Sequence, residues 1–188
     1  MPALTRADRF IAAVRQNPVN AHLLEHLPSL QLPQCLLTAG CLFQAVWNQQ
    51  AGKPAAWGVK DYDIFYFDPD TSWEAENAVI EAVNQLGADL GVALEVKNQA
   101  RVHLWYAQRF GRPYPALQSA KDGVDRYLVA GTCVAIDVYN GEVYAPFGLD
   151  DIENGLLRSN PRNHQSDLFL SKAQSYQQRW PWLQIVQP

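Results

Sequence analysis

The chain has 188 residues, 48% of them apolar and 18% charged, with a formal net charge of −4. That length suits one domain with a real core, the composition is that of an ordinary globular protein, and the acidic balance argues against a broad electrostatic grip on extended nucleic acid. No apolar run approaches the ~20 residues of a membrane span. The opening MPALTRADRFIAAVRQNP scatters its arginines and shows no cleavage site after an apolar block, so it does not read as a signal peptide. The 3 cysteines, Cys35, Cys41 and Cys133, form no CxxC pair, and reduced thiols in a cytoplasmic protein are the expectation.

In chain order, residues 1–34 read as a helical segment. Phe10, Ile11, Val14, Leu23, Leu24 and Leu27 recur at helical spacing, with breaks at Pro18 and Pro28. His22 and His26 lie four apart, but no third ligand accompanies them, and they read as surface or partly buried helix residues. A short strand, Cys35 to Leu37, leads through Thr38-Ala39-Gly40 into a helix with Leu42, Phe43, Val46 and Trp47 on one face, ended by Ala51-Gly52. The next strand begins at about Asp61, and Asp68-Pro69-Asp70 ends it. Thr71 with Glu74 then fits a capping box for a helix striped by Trp73, Val79, Val83 and Leu86 and stopped by Gly87. A further strand is expected over GVALEVKNQARVHLW. A turn-rich loop over Gly111 to Pro115, a helix from Lys121 to Val129, a strand from Thr132 to Tyr139 and an Asn140-Gly141 hairpin follow. Leu149 to Leu157 and Leu170 to Trp180 read as closing helices. The fold class expected is α+β: a single central mixed or antiparallel sheet with flanking helices in one domain, residues 1–188. Its core lies at about 36–138, and the hairpin and closing helices occupy 139–188.

The stretch KDYDIFYFDPDTSWEAE holds the main chemical signal. Along a strand Asp61, Asp63, Phe65 and Phe67 face one side and Tyr62, Ile64 and Tyr66 the other. Two carboxylates about 7 Å apart on one partly buried face raise each other's pKa unless cations sit between them. Mg²⁺, or Mn²⁺ in its place, suits such oxygen donors and completes its shell with substrate phosphates. Glu95, in the next apolar strand, is a third candidate ligand, and three such acids can hold two ions for phosphoryl or nucleotidyl transfer. The alternative is an edge strand that shows its acids to water or pairs them with lysine. Gly40, at a strand-to-helix junction, offers backbone N–H groups and a helix dipole to a phosphate.

Glycine, paired aspartates and a later strand acid, in that order, resemble the polymerase beta-like nucleotidyltransferase superfamily. More closely, the chain is similar to a small bacterial family of minimal nucleotidyltransferases. The resemblance rests on TAGCLFQAVWN, KDYDIFYFDPDTSWEAE, VKNQARVHLWY with GRPYPAL, and GTCVAIDV, and spans about residues 36–138. It implies a nucleotidyltransferase-like fold with Asp61 and Asp63 as ligands of both metals and Glu95 on the ion that activates the acceptor hydroxyl. Gly40 and the backbone of Cys41 would face the outer phosphates. Two departures stand out: Cys41 occupies a position where the superfamily has serine or glycine, and the long gap from Gly40 to Asp61 implies an enlarged loop.

Around the acids, Lys60 and Lys97 are candidates to neutralise phosphate or are ordinary solvated lysines. On the expected long strand Glu95, Lys97, Gln99, Arg101 and His103 share one polar face, which makes Gln99 and Arg101 nucleotide-binding candidates. Trp105, Tyr106 and Tyr114 are candidates to stack on a base, and Arg109 and Arg112 to bind an anionic acceptor. The expected function is metal-dependent transfer of a nucleoside monophosphate from an NTP to an acceptor hydroxyl, with a small molecule or protein favoured as acceptor. A catalytically inactive nucleotide-binding module of the same fold is the rival. A third reading is a scaffold whose acids pair with Lys60, Lys97 or Arg101.

Overall fold

A computed structural model describes residues 3–186; the expected terminal segments, reaching to residues 1 and 188, begin and end outside the described residues. In chain order it contains α1 (Arg6–Arg15), α2 (Pro18–His26), β1 (Leu36–Thr38), α3 (Gly40–Gln50), β2 (Asp61–Tyr66), α4 (Trp73–Leu86), β3 (Ala93–Asn98) and α5 (Val102–Phe110). Then follow α6 (Ala120–Val124), β4 (Ala135–Asp137), β5 (Val143–Tyr144), α7 (Asp150–Asn154), β6 (Leu156–Leu157), α8 (Ser166–Arg179) and β7 (Gln184–Ile185). Pro18 starts α2, where its missing N–H costs nothing, and the Asn17 side chain caps that helix by accepting from the Val19 N–H. Pro28 sits in a short 3-10 turn, Leu27–Leu30. His22 and His26 stack with ring centroids 4.1 Å apart, and both ring systems face backbone carbonyls.

The main sheet runs β3-β2-β1-β4-β5. β2 and β3, joined through α4, are parallel; the other pairs are antiparallel, so the sheet is mixed and the fold α+β. Tyr62, Ile64 and Tyr66 enter the main core with Leu37 and Ile136, a core whose members reach from Phe10 to Leu183. Phe65 points the other way, into a smaller cluster with Leu36, Ala120, Val124, Cys133 and Ala135. The period-two alternation of β2 therefore delivers Asp61 and Asp63 to the face opposite the main core. α3 is buried nearly all round. Trp47 Nε1 donates to the Ile152 carbonyl and Trp180 Nε1 to Asn48 Oδ1, which fixes α7 and α8 against it. All three cysteines are free and buried. Among the described residues no helix is long and apolar enough to cross a membrane.

Several expected boundaries move. Ser72, not Thr71, caps α4 by accepting from the Ala75 N–H at 3.2 Å, and Trp73 is 54% exposed rather than part of the apolar stripe. The third strand stops at Asn98 instead of running through His103. The buried Asn98 side chain accepts from the Asp68 and Ala100 N–H groups and donates to the Asp68 and Asp70 carbonyls, while Glu76 takes the Asn98 N–H. These bonds turn the chain out of the sheet, and α5 begins three residues later than Gln99. The helix expected over Lys121 to Val129 shortens to α6, opened by a Ser119–Asp122 capping box, and the strand after it shortens to β4. Of the two expected closing helices, the first gives α7 and β6 and the second starts earlier, as α8. β6 pairs in parallel with β7, two residues in each strand, too few for an alternating pattern to show.

Candidate active site

Strand register assembles the site. Thr38 lies opposite Asp63, and Asp63 lies beside Glu95, with Phe65 beside Lys97; these side chains share the open face with Asp61. Among the described residues neither strand aspartate has an ion pair. Burial, and then repulsion from Asp61, push the Asp63 carboxyl from 3.8 up to about 7, against the pull of Lys97 and Lys172. Two oxygen donors in a half-dry cleft with too little positive charge are the condition that a hard divalent cation relieves. Glu95 is instead tied to Lys97 at 2.6 Å, and among the described residues no group of three or more His, Cys, Asp or Glu side chains converges to hold a metal. The two aspartates offer the oxygen donors that Mg²⁺ prefers, while Lys97 occupies one oxygen of the Glu95 carboxylate.

The strained residue of the turn into α3 lies one position before Gly40. Ala39 precedes α3 with φ 66° and ψ −145°, a region that an L-residue occupies only at a cost and glycine occupies freely. Gly40 then opens α3, and a Cβ on it would come within 2.5 Å of Gln44 Nε2, so the absence of a side chain lets the Gln44 amide lie over the helix start. Cys41 turns inward: it is fully buried, its thiol donates to the Thr38 carbonyl at 3.3 Å, and burial holds the thiol well above its usual pKa. Only its backbone faces the turn. The Ala39→Gly variant is expected to stabilise the protein by about 1 kcal/mol, read as a melting temperature roughly 2–4 °C higher for a chain of this size. An unchanged or lower value would remove the strain at this turn.

A cavity of about 510 Å³ holds Gly40, Asp61, Asp63, Lys97, Lys172 and Tyr176 on its walls. Lys172 comes from α8, whose Tyr176 meets the Phe43 and Trp47 rings edge-on. Burial, then Arg179, lowers the Lys172 ammonium, and the two aspartates pull it back up. A second cavity of about 630 Å³ adjoins the first through Lys97, Tyr106, Arg126, Tyr127 and Asn163; Glu95 lines only this one. Lys60 is exposed and lines a smaller recess with Asp61, Lys172 and Arg179.

The end of β3 redistributes the other candidates. Gln99 is 1% exposed and lies over Gly123, where a Cβ would meet its Oε1 at 2.1 Å; it lines the second cavity. Arg101 leaves the site altogether and pairs with Glu76 of α4, because the turn at Asn98 swings it to the α4 side. His103 lies in the first turn of α5 rather than extending the strand. Trp105, Tyr106, Arg109, Arg112 and Tyr114 all line the second cavity. Sequence reasoning missed Lys172, Arg126 and Gln165. Lys172 had a signal, since it borders the buried stripe Phe169, Ala173 and Tyr176 of its helix, whereas Arg126 and Gln165 lie in loops with no pattern of their own.

A mixed sheet that sets paired strand aspartates beside a helix start, with a third acid in register, defines a protein of the nucleotidyltransferase class. Residues 25–185 match the family model described as nucleotidyltransferase, and the chain belongs to that family. It is similar in fold to a solution structure described as a CCA-adding enzyme head domain, with a TM-score of 0.74 and 23% identity over 95% of each chain. It also resembles the Thermotoga maritima CCA-adding enzyme complexed with tRNA, with a TM-score of 0.57 and 14% identity; all of this chain is covered, but it spans 44% of that one. No curated protein matches it in sequence.

Proposed function

We propose that the protein transfers a nucleoside monophosphate from an NTP to an acceptor hydroxyl, with Asp61 and Asp63 holding Mg²⁺ or Mn²⁺. The observation that carries this reading is the shared cavity of Gly40, Asp61 and Asp63, with Glu95 in register beside Asp63. Bound there, the cation supplies charge neutralisation and lowers the cost of forming the acceptor alkoxide. The N–H groups at the start of α3 receive the outer phosphates, and Lys172 adds a point charge above the aspartates. Lys97, which lines both cavities, exchanges Glu95 for the transferred phosphoryl and so frees the carboxylate. The acceptor oxygen bonds to the α-phosphorus as the bond to the bridging oxygen breaks. That electron pair leaves with pyrophosphate, and the hydroxyl proton passes to Glu95. Positioning and electrostatics account for the catalysis, since this chemistry asks little covalent work of the protein.

The net charge of −4 favours a small or protein acceptor over an extended nucleic acid. The Glu95–Lys97 pair is the one contact that favours the inactive-module and scaffold readings; the aspartates, which have no ion-pair partner among the described residues, do not. A thermal-shift panel with the four NTPs, with and without Mg²⁺ or Mn²⁺, separates these readings. Metal-dependent stabilisation of the wild type by about 2.7 kcal/mol at a hundred times the dissociation constant, lost in Asp63→Asn, is the expected result. No shift with any nucleotide or metal would refute the transferase reading.

A further inference from the structure

The second cavity has a chemistry of its own, apart from the paired aspartates. Arg109, Arg112 and Arg126 line it, and among the described residues none of the three has a carboxylate within ion-pair distance, although the chain is acidic overall. Arg126 is the deepest. Among the described residues its Nε has no hydrogen-bond partner and is shut off from water, which leaves the outer guanidinium nitrogens as its ligand-facing donors. Its guanidinium lies 4.6 Å above the Tyr114 ring, and Tyr114 in turn lies 4.4 Å from Tyr106. Arg112 is aimed rather than free: it donates to Gln165 Oε1 at 2.6 Å, and Gln165 is itself held by Asn163 at 2.7 Å. Among the described residues the only carboxylate on the wall is Glu95, whose strand neighbour is Asp63 of the adjoining cavity.

Guanidinium forks bind the paired oxygens of a phosphate or carboxylate bidentately, and an aromatic wall with a cation behind it favours a flat ring. A volume of about 630 Å³ accommodates a molecule of mononucleotide size. We propose that this cavity is the acceptor subsite, built for a hydroxyl-bearing phosphate ester that carries a flat ring. The acceptor is then a mononucleotide-like unit, bound with its phosphate on the arginines, its ring against Tyr106 and Tyr114, and its hydroxyl toward Glu95. The assignment of this unit as acceptor rests on the transfer reading above; the binding chemistry of the cavity does not.

Calorimetric titration of the full chain in EDTA, without NTP, tests the cavity by itself, with AMP, ribose 5-phosphate and adenosine as probes. AMP is expected to bind at least about tenfold more tightly than either fragment. The exposed pair Arg109→Gln/Arg112→Gln should weaken AMP by roughly ten- to hundredfold and leave the metal-dependent NTP thermal shift in place. Equal affinity for AMP and adenosine, or undiminished AMP binding in that variant, overturns the proposal. If NTP and metal shift nothing while AMP binding keeps its arginine dependence, the transfer reading falls and the cavity assignment stands. A short single-stranded RNA with a free 3′-hydroxyl, used as competitor, identifies the source. Displacement of AMP at least tenfold more tightly than free AMP itself assigns the unit to an RNA end, and weaker competition assigns it to a free small molecule.

Discussion

Asp63→Asn is expected to lower nucleotidyl transfer by about 10²–10³-fold or more and, in metal-free buffer, to make the protein more stable at pH 8. Both effects come from the same carboxylate. In the fold it is pushed to about 7 by burial and by Asp61, whereas in the unfolded chain it returns to an ordinary value near 3.9. Between those two pH values the folded state holds more protons than the unfolded one, so stability falls as pH rises from about 4 to 7 and levels off above that. A shift of about three units corresponds to about 4 kcal/mol, which the cleft's water access lowers to roughly 2–3 kcal/mol.

Urea unfolding in EDTA at pH 4.5 and pH 8 measures this directly. The wild type should be less stable at the higher pH by that amount beyond the slope shared with Asp63→Asn. Equal slopes in the two proteins would mean that Asp63 is not starved of positive charge. Added Mg²⁺ should rescue the wild type at pH 8 and have little effect at pH 4.5, because the cation binds the ionised carboxylates.

The parts of this site that sequence reveals are those set by strand geometry. A strand alternates faces at every residue, so DYDIFY states that Asp61, Asp63 and Phe65 share a side, and the parallel register of β3 then brings Glu95 level with Asp63. Gly40 was equally readable, as a glycine between an apolar strand and an apolar helix. The strained residue Ala39 was not, since a positive φ is announced by glycine or asparagine and not by alanine. Lys172 and Arg126 reach the cleft through the docking of α8 and the loop after α6, contacts between segments far apart in the chain. The overlong third strand has the same origin. VKNQARV alternates well enough to pass as a strand, and what ends it is a carboxylate more than twenty residues upstream, Glu76, together with the Asn98 side chain.

That carboxylate supports the second large effect. Glu76 is 5% exposed and accepts from both the Asn98 N–H, at 2.9 Å, and the Arg101 guanidinium. Glu76→Ala leaves a buried cation and an orphaned backbone N–H, a loss of about 3–5 kcal/mol, or roughly 10–15 °C in melting temperature at this chain length. Replacing both partners, Glu76→Leu with Arg101→Met, should recover much of that loss, because no charge is then left unpaired. Arg101→Met alone separates the two roles that the sequence allowed for this arginine. If it served the nucleotide, the variant would lose NTP affinity while keeping its melting temperature. The Glu76 pair predicts the opposite: a lower melting temperature, and an NTP dissociation constant within about twofold of the wild type in the folded protein, since a guanidinium on the α4 side is separated from the aspartates by the sheet.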